Sequence, residues 1–331
     1  MLGTACPSTA GRMTATKLRP TMRWIAKALL QKGLSALPGP ERANYVFQHY
    51  VSRSLPVGEA IFRRRFRRAE EHLRAYEKHG SGMPVGEAVF YEFGAGWDLT
   101  LPLAFWSFGV ERQILVDLRS NVRLPLVGRG LARLRRLARE DPRLRDPGPA
   151  SVGSLDELAD RFGIRYLAPC DARRTGLPAS SVDFVSSTNT LEHVPADDLV
   201  PLLAECRRLL RVEGILSARI DLSDHFSRFD DSISPYNFLH YSDRGWRLFN
   251  STLLYQSRLR RPDYERAFVG AGFAVVVAKS RTPRDADVML ASVRPATRFG
   301  GYVLDDLAAL KLWVVARPRA DADAEGKEVA G

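Results

Sequence analysis

Cysteine is scarce in this chain of 331 residues, and so are lysine and long apolar runs. The three cysteines, Cys6, Cys170 and Cys206, are odd in number and far apart. They offer no metal-ligand or redox spacing and no disulfide framework, which predicts reduced thiols in a cytoplasmic protein. No run of about 18 uncharged apolar residues occurs, so no segment reads as a membrane span. The first residues lack the apolar core of a secretory signal. Positive charge is plentiful, at a net +11, but Arg outnumbers Lys roughly six to one beside abundant Ala, Gly and Pro. A GC-rich coding sequence produces that bias without selection for a polyanion, so no nucleic-acid partner is expected. Two basic clusters stand apart: Arg63, Arg64, Arg65, Arg67 and Arg68, then Arg129 to Arg139. Both read as solvated helix faces first, and as phosphate or membrane contacts second.

What is present has a rhythm. Residues 1–20 are small, polar and patternless, and read as disordered or as a mis-assigned start. Residues 21–82 read as a helical extension, a lid or a packing element, with helices over 22–34, 41–52 and 59–78. These helices also offer a peripheral membrane contact. From Gly80-Ser81-Gly82 onward, short apolar runs alternate with helices. Strands are predicted at 88–93, 113–117, 164–168, 182–187, 215–220, 273–279 and 310–316. Helices are predicted at 99–108, 126–139, 155–162, 197–210 and 261–271, with Arg211 to Gly214 ending the fourth. This alternation predicts a parallel sheet with right-handed crossovers. The main domain is set at 83–318. Residues 222–262 break the rhythm with aromatic and polar residues and read as an insertion covering a substrate. The connection between the last two strands reads as a loop, and 319–331 as a disordered tail.

The first strand ends in Glu92-Phe93-Gly94-Ala95-Gly96-Trp97-Asp98. The glycines allow a tight turn and a close ligand approach, and the next helix offers free N–H groups. Asp117, about 20 residues on, suits the two hydroxyls of a ribose. An adenosine-type cofactor follows, either a dinucleotide or S-adenosylmethionine. The later strands separate these. Asp171-Ala172, Leu177-Pro178, the run from Ser181 to Val185, and Asn189-Thr190-Leu191-Glu192-His193-Val194 come in order.

With these pieces, residues 85–220 resemble the class I S-adenosylmethionine-dependent methyltransferases, of the methyltransferase type 11 kind. The resemblance implies an α/β fold: a Rossmann-like, mostly parallel seven-stranded sheet with helices on both faces and the last strand antiparallel. It implies S-adenosylmethionine as cofactor. Glu92 would sit near its amino group, Gly94 and Gly96 against its methionine part, and Asp117 on the ribose. Asp171 and the Ala172 N–H would hold the adenine, and Asn189 would line the site. Asp98 departs from the pattern, where a third glycine is common, and would cap the next helix or contact the amino group.

Methyl transfer to oxygen needs alignment and a base. His193, Asp221, Asp224, His225 and His240 are candidates. His225 or His193 is read as the base, with Asp224 orienting or contacting substrate. Asp221, Asp224 and His225 could also hold a divalent metal, but none is expected. The aromatics between Phe226 and Tyr264 suit a sugar- or phenol-like small molecule, or form a packed sub-core. Arg258, Arg260 and Arg261 face an anionic substrate or solvent. Three alternatives stay open. A nicotinamide-dependent oxidoreductase would need glycine where Leu99 stands. A non-catalytic cofactor-binding module would not need its acids at 92, 117 and 171. A nucleic-acid methyltransferase would carry an Asn/Asp-Pro-Pro-Tyr/Phe-type motif, absent after the fourth strand.

Overall fold

The computed structural model describes residues 23–36, 45 and 55–319. The predicted disorder at 1–20, the helix at 41–52 apart from Tyr45, and all but the first residue of the tail lie outside the described residues.

Seven strands build one sheet: β1 (Val89–Phe93), β2 (Arg112–Val116), β3 (Ile164–Leu167), β4 (Val182–Thr188), β5 (Leu210–Asp221), β6 (Phe273–Arg281) and β7 (Lys311–Pro318). Their order is β3-β2-β1-β4-β5-β7-β6. All neighbours pair in parallel except at β7, which runs antiparallel to both β5 and β6. The order reverses between β1 and β4, where an open α/β sheet leaves a crevice at the strands' carboxyl ends.

Period-2 alternation decides the two faces. Phe90, Phe184, Ile215 and Val315 point to one side and pack under α2 (Glu59–His79) and α3 (Thr100–Ser107). Tyr91, Val185, Leu216 and Val314 point to the other, against α6 (Ala196–Leu209) and α8 (Arg261–Gly270). Each such fully buried side chain contributes about 1.5–3 kcal/mol. The β2–β3 connection adds α4 (Leu124–Glu140) and α5 (Leu155–Phe162), which close over Leu115 and Ile164. Among the described residues no helix is long and apolar enough to cross a membrane.

Two features differ from the sequence reading. Arg211 to Gly214 do not end a helix; they lie inside β5, where a register shift between the Val182–Leu210 and Phe184–Ile215 pairs absorbs the extra residues. The connection from β6 to β7 is not a plain loop. It folds into α9 (Ala286–Ala291) and α10 (Leu304–Ala308). These helices pack with Phe226, Tyr236, Phe238 and Trp246 of the 222–262 segment, and with Trp24 and Ala28 of α1 (Arg23–Ser35), into a separate small core. Arg260 ties the two segments together. It is fully buried and donates to the carbonyls of Leu222 (2.8 Å), Asp306 (3.0 Å), Leu307 (3.0 Å) and Ala309. Arg258 is likewise buried and donates to the carbonyls of Phe238 and Tyr241. Neither meets solvent, because each guanidinium satisfies carbonyls that short irregular helices leave unpaired.

Candidate active site

β1 delivers Glu92 to the crevice and then turns through Gly94 and Gly96, both left-handed at φ 76 and 78. A side chain at Gly94 would collide with Thr190, 2.5 Å away, whereas one at Gly96 would meet nothing within 4 Å. The loop therefore packs against the β4 end on one side and leaves open ground over the other. Glu92 is buried, and its Oε2 has no hydrogen-bond partner among the described residues. Burial, reinforced by Asp117 and opposed by Arg65, pushes its pKa up to about 8.

Asp117 sits just past β2, buried against the same loop. Burial raises its pKa to about 7, while the Tyr166 hydroxyl (2.9 Å) and the N–H groups of Gly96 and Ala95 pull the other way. Tyr166, on β3, was not singled out in the sequence. Its signal was weak: one aromatic at a strand position two residues from a predicted strand end.

Asp98 has its carboxylate committed. Arg65 of α2 grips both oxygens at 2.8 and 2.7 Å, and Thr100 donates its N–H (3.2 Å) and hydroxyl (2.9 Å) to Oδ1. These Thr100 contacts lie at the start of α3, whose N-cap residue is Leu99 and not Asp98. Asp98 also couples α2 to the glycine loop, which the sequence did not reveal.

On the far side, Asp171 lies in the β3–β4 connection, half-buried. It accepts from the Arg173 backbone N–H (2.9 Å) and from the Arg173 guanidinium, which also reaches Asp198. The Arg173 hydrogen bonds hold its pKa below the ordinary value. Ala172 packs on the main core. Asn189 follows β4 in a left-handed conformation, φ 55, its N–H donating to the Arg219 carbonyl at 2.8 Å.

The ends of β4 and β5 bring a second group together. Leu191–His193 form a single 3-10 turn just after Thr190. Segment 255–257 crosses it: His193 Nδ1 donates to the Tyr255 carbonyl (2.6 Å), and the Ser257 N–H donates to the Glu192 carbonyl (2.9 Å). The His193 and His225 rings lie 5.0 Å apart. Burial lowers both imidazole pKa values. The Tyr255 carbonyl partly offsets this for His193, and the neighbouring His193, Lys311 and Lys27 add to it for His225. Both rings are therefore neutral at pH 7. Nδ1 of His193 holds the proton, which leaves its Nε2 with a lone pair.

Glu192 is buried beside them with neither oxygen partnered among the described residues, and burial raises its pKa to about 8. Asp221 lies at the end of β5. Its Oδ1 accepts from Ser223, and its Oδ2 faces Arg228, Lys311 and, at 3.9 Å, His225 Nε2. Glu192, Asp221, His225, Gln256 and Tyr264 line one small cavity. Sequence reading missed Glu192, Arg228 and Lys311, since chain distance separates them and no spacing links them.

Asp224 and His240 are placed elsewhere. Asp224 is fully buried, accepts from Asn237 Nδ2 (2.9 Å) and the Phe226 N–H (2.8 Å), and so holds the insertion's first turn. His240 is exposed and accepts from the Arg294 N–H. The set with metal-ligand spacing is Glu192, His193 and His225, whose ligand atoms lie within 4.8 Å of one another. Arg228 and Lys311, paired with the neighbouring Asp221, place positive charge beside it, which disfavours a dication there.

Residues 131–218 match the family model described as a methyltransferase domain. No curated protein matches the sequence. Among solved structures, a 1,6-didemethyltoxoflavin N1-methyltransferase of Burkholderia thailandensis is 18% identical, with 89% of this chain and 90% of that one covered and a TM-score of 0.45. A geranyl diphosphate C-methyltransferase of Streptomyces coelicolor A3(2) is 16% identical, with 76% and 75% covered and a TM-score of 0.43. The matched segment runs from within α4 through α5, β3, β4 and α6 and ends within β5. The segment 131–218 is thus similar to a methyltransferase domain.

Proposed function

We propose that this protein methylates a hydroxyl of a sugar- or phenol-like small molecule, with S-adenosylmethionine as donor. The residues of the β1–β4 crevice fit that cofactor. Glu92 Oε2 is a buried acceptor without a partner among the described residues, suited to an ammonium. The ground over Gly96 is open, and Asp117 stands where a ribose would be held. Asp171, Ala172 and Asn189 complete the cradle, with Asp171 needing to share its carboxylate with Arg173. When bound, the cofactor supplies an electrophilic sulfonium methyl.

The rest is the work of the chain. The observation that carries the oxygen-acceptor reading is the pair of neutral imidazoles, His193 and His225, at the mouth of the same crevice. The Tyr255 carbonyl fixes the His193 tautomer, so its Nε2 accepts the acceptor hydroxyl's proton. Gln256 accepts the His225 backbone N–H and holds that residue in place. Segment 255–257, lying across the turn, excludes water from the reacting oxygen.

Radiolabelled methyl transfer into small molecules of host extract tests this. His193→Ala or His225→Ala should lose about 100-fold or more in turnover at saturating substrate. Full turnover in both variants would sink the assignment.

A further inference from the structure

α2 is pinned at two points above the sheet. His72 bridges Thr188 Oγ1 (2.9 Å) and Ser217 Oγ (2.8 Å), on β4 and β5, and Arg65 holds Asp98 in the glycine loop. Arg68 and Arg64 lie one and two turns toward the helix N-terminus from His72, on its i−4 and i−8 row. That row overhangs the carboxyl ends of β4 and β5. Neither arginine has a hydrogen bond or ion pair among the described residues. From below, Arg228 and Lys311 converge on one oxygen of Asp221.

Arg64 acts electrostatically on Arg68, Arg228 and Lys311, Lys311 also feels Arg68 and Arg228, and Glu192 acts on Arg68, Arg228 and Lys311. Burial and this mutual repulsion lower the pKa values of Arg68, Arg228 and Lys311. Among the described residues Asp221 is the acid that ion-pairs with Arg228 and Lys311, both through Oδ2, and neither carboxyl oxygen of the neighbouring Glu192 has a partner. The half-exposed Arg228 and Lys311, with Arg68 and the exposed Arg64 above them, make a region of positive potential that a ligand anion would meet from solvent.

We propose that Arg64, Arg68, Arg228 and Lys311 form an anion clamp for a phosphate group carried by the acceptor. This rests on the methyl-transfer reading of the same pocket and names its substrate class. Guanidinium forks match phosphate oxygens two at a time, and four cations suit a dianion or diphosphate better than one carboxylate. The clamp would anchor the acceptor beside His193 and His225. Its field would also favour the developing oxyanion.

Calorimetric titration of the full chain with inorganic pyrophosphate tests it. One saturable site is expected, weakened at least 10-fold in Arg64→Gln/Arg68→Gln and, separately, in Arg228→Gln. Arg143→Gln, which removes an exposed arginine paired with Asp141, should keep full affinity. Absence of saturable binding overturns the proposal. So does wild-type affinity in both clamp variants, or an equal loss in Arg143→Gln. S-adenosylhomocysteine titrated into the same samples separates the two claims. Homocysteine-cofactor binding without pyrophosphate binding defeats the clamp alone. Pyrophosphate binding without it leaves the clamp standing and defeats the methyltransferase reading.

Discussion

Gly94 and Gly96 share a left-handed backbone but face different surroundings, and that difference separates fold from function. At Gly94 an added Cβ would lie 2.5 Å from Thr190 Cγ2 and 2.6 Å from its Oγ1. Gly94→Ala therefore combines a backbone term of about 1–2 kcal/mol with an overpacking term of about 1–3 kcal/mol. The sum, about 2–5 kcal/mol, is a large share of a typical domain's stability of about 5–15 kcal/mol. At Gly96 no neighbour lies within 4 Å, so Gly96→Ala carries the backbone term alone, about 1–2 kcal/mol. Its methyl would stand on the open ground assigned to the cofactor. Urea melts and S-adenosylhomocysteine titrations of both variants read the two effects. Gly94→Ala should be the less stable protein. Gly96→Ala should bind the ligand at least 10-fold more weakly, about 1.4 kcal/mol. Adding Thr190→Ala to Gly94→Ala should recover about 1 kcal/mol or more, a coupling absent for Gly96→Ala. Equal destabilisation by both single variants would refute the packing argument. Wild-type affinity in Gly96→Ala would refute the placement of the cofactor.

Glu92, with its pKa raised from 4.5 to about 8, binds its proton more tightly when folded, so stability is lost as pH rises between those values. Glu92→Gln should raise the stability of the ligand-free protein by a few kcal/mol at pH 7.5, read from urea melts, and weaken S-adenosylhomocysteine binding. His72 has the opposite sign: burial, with Arg219 and Arg68, lowers its pKa from 6.5 to about 3. The folded state therefore loses stability as pH falls below 6.5, by about 3 kcal/mol at pH 4.5, and melts of His72→Gln should lack that component. Excess chelator should leave methyl transfer unchanged, because Arg228 and Lys311, held on Asp221, place positive charge next to Glu192, His193 and His225; its abolition would assign a metal to that set.

The sheet was legible because the strands are short apolar runs bounded by turn residues, the central β1 and β4 being buried on both faces as parallel strands are. The two misread stretches have a common cause. Arg211 to Gly214 look like a helix end locally, but pairing with β4 overrides that preference. The β6–β7 connection has no period of its own, and α9 and α10 exist by packing on Phe226, Tyr236 and Trp246. The turn after β1 was legible because glycines and strand-end acids are local features. Tyr166 on Asp117, Arg65 on Asp98 and the cations around Asp221 are pairings between distant segments, which no spacing encodes. Arg258 and Arg260 show the reverse error: charge in sequence suggested the surface, whereas unpaired carbonyls of the insertion drew both inside.

The central claim is that the β1–β4 crevice holds S-adenosylmethionine, and its most direct test is equilibrium binding of S-adenosylhomocysteine by calorimetry, alongside nicotinamide dinucleotides. One S-adenosylhomocysteine per chain is predicted, with no dinucleotide binding and at least a 10-fold loss in Asp117→Ala, where the ribose loses its acceptor. Dinucleotide binding in its place, or an unchanged affinity in Asp117→Ala, would contradict the account.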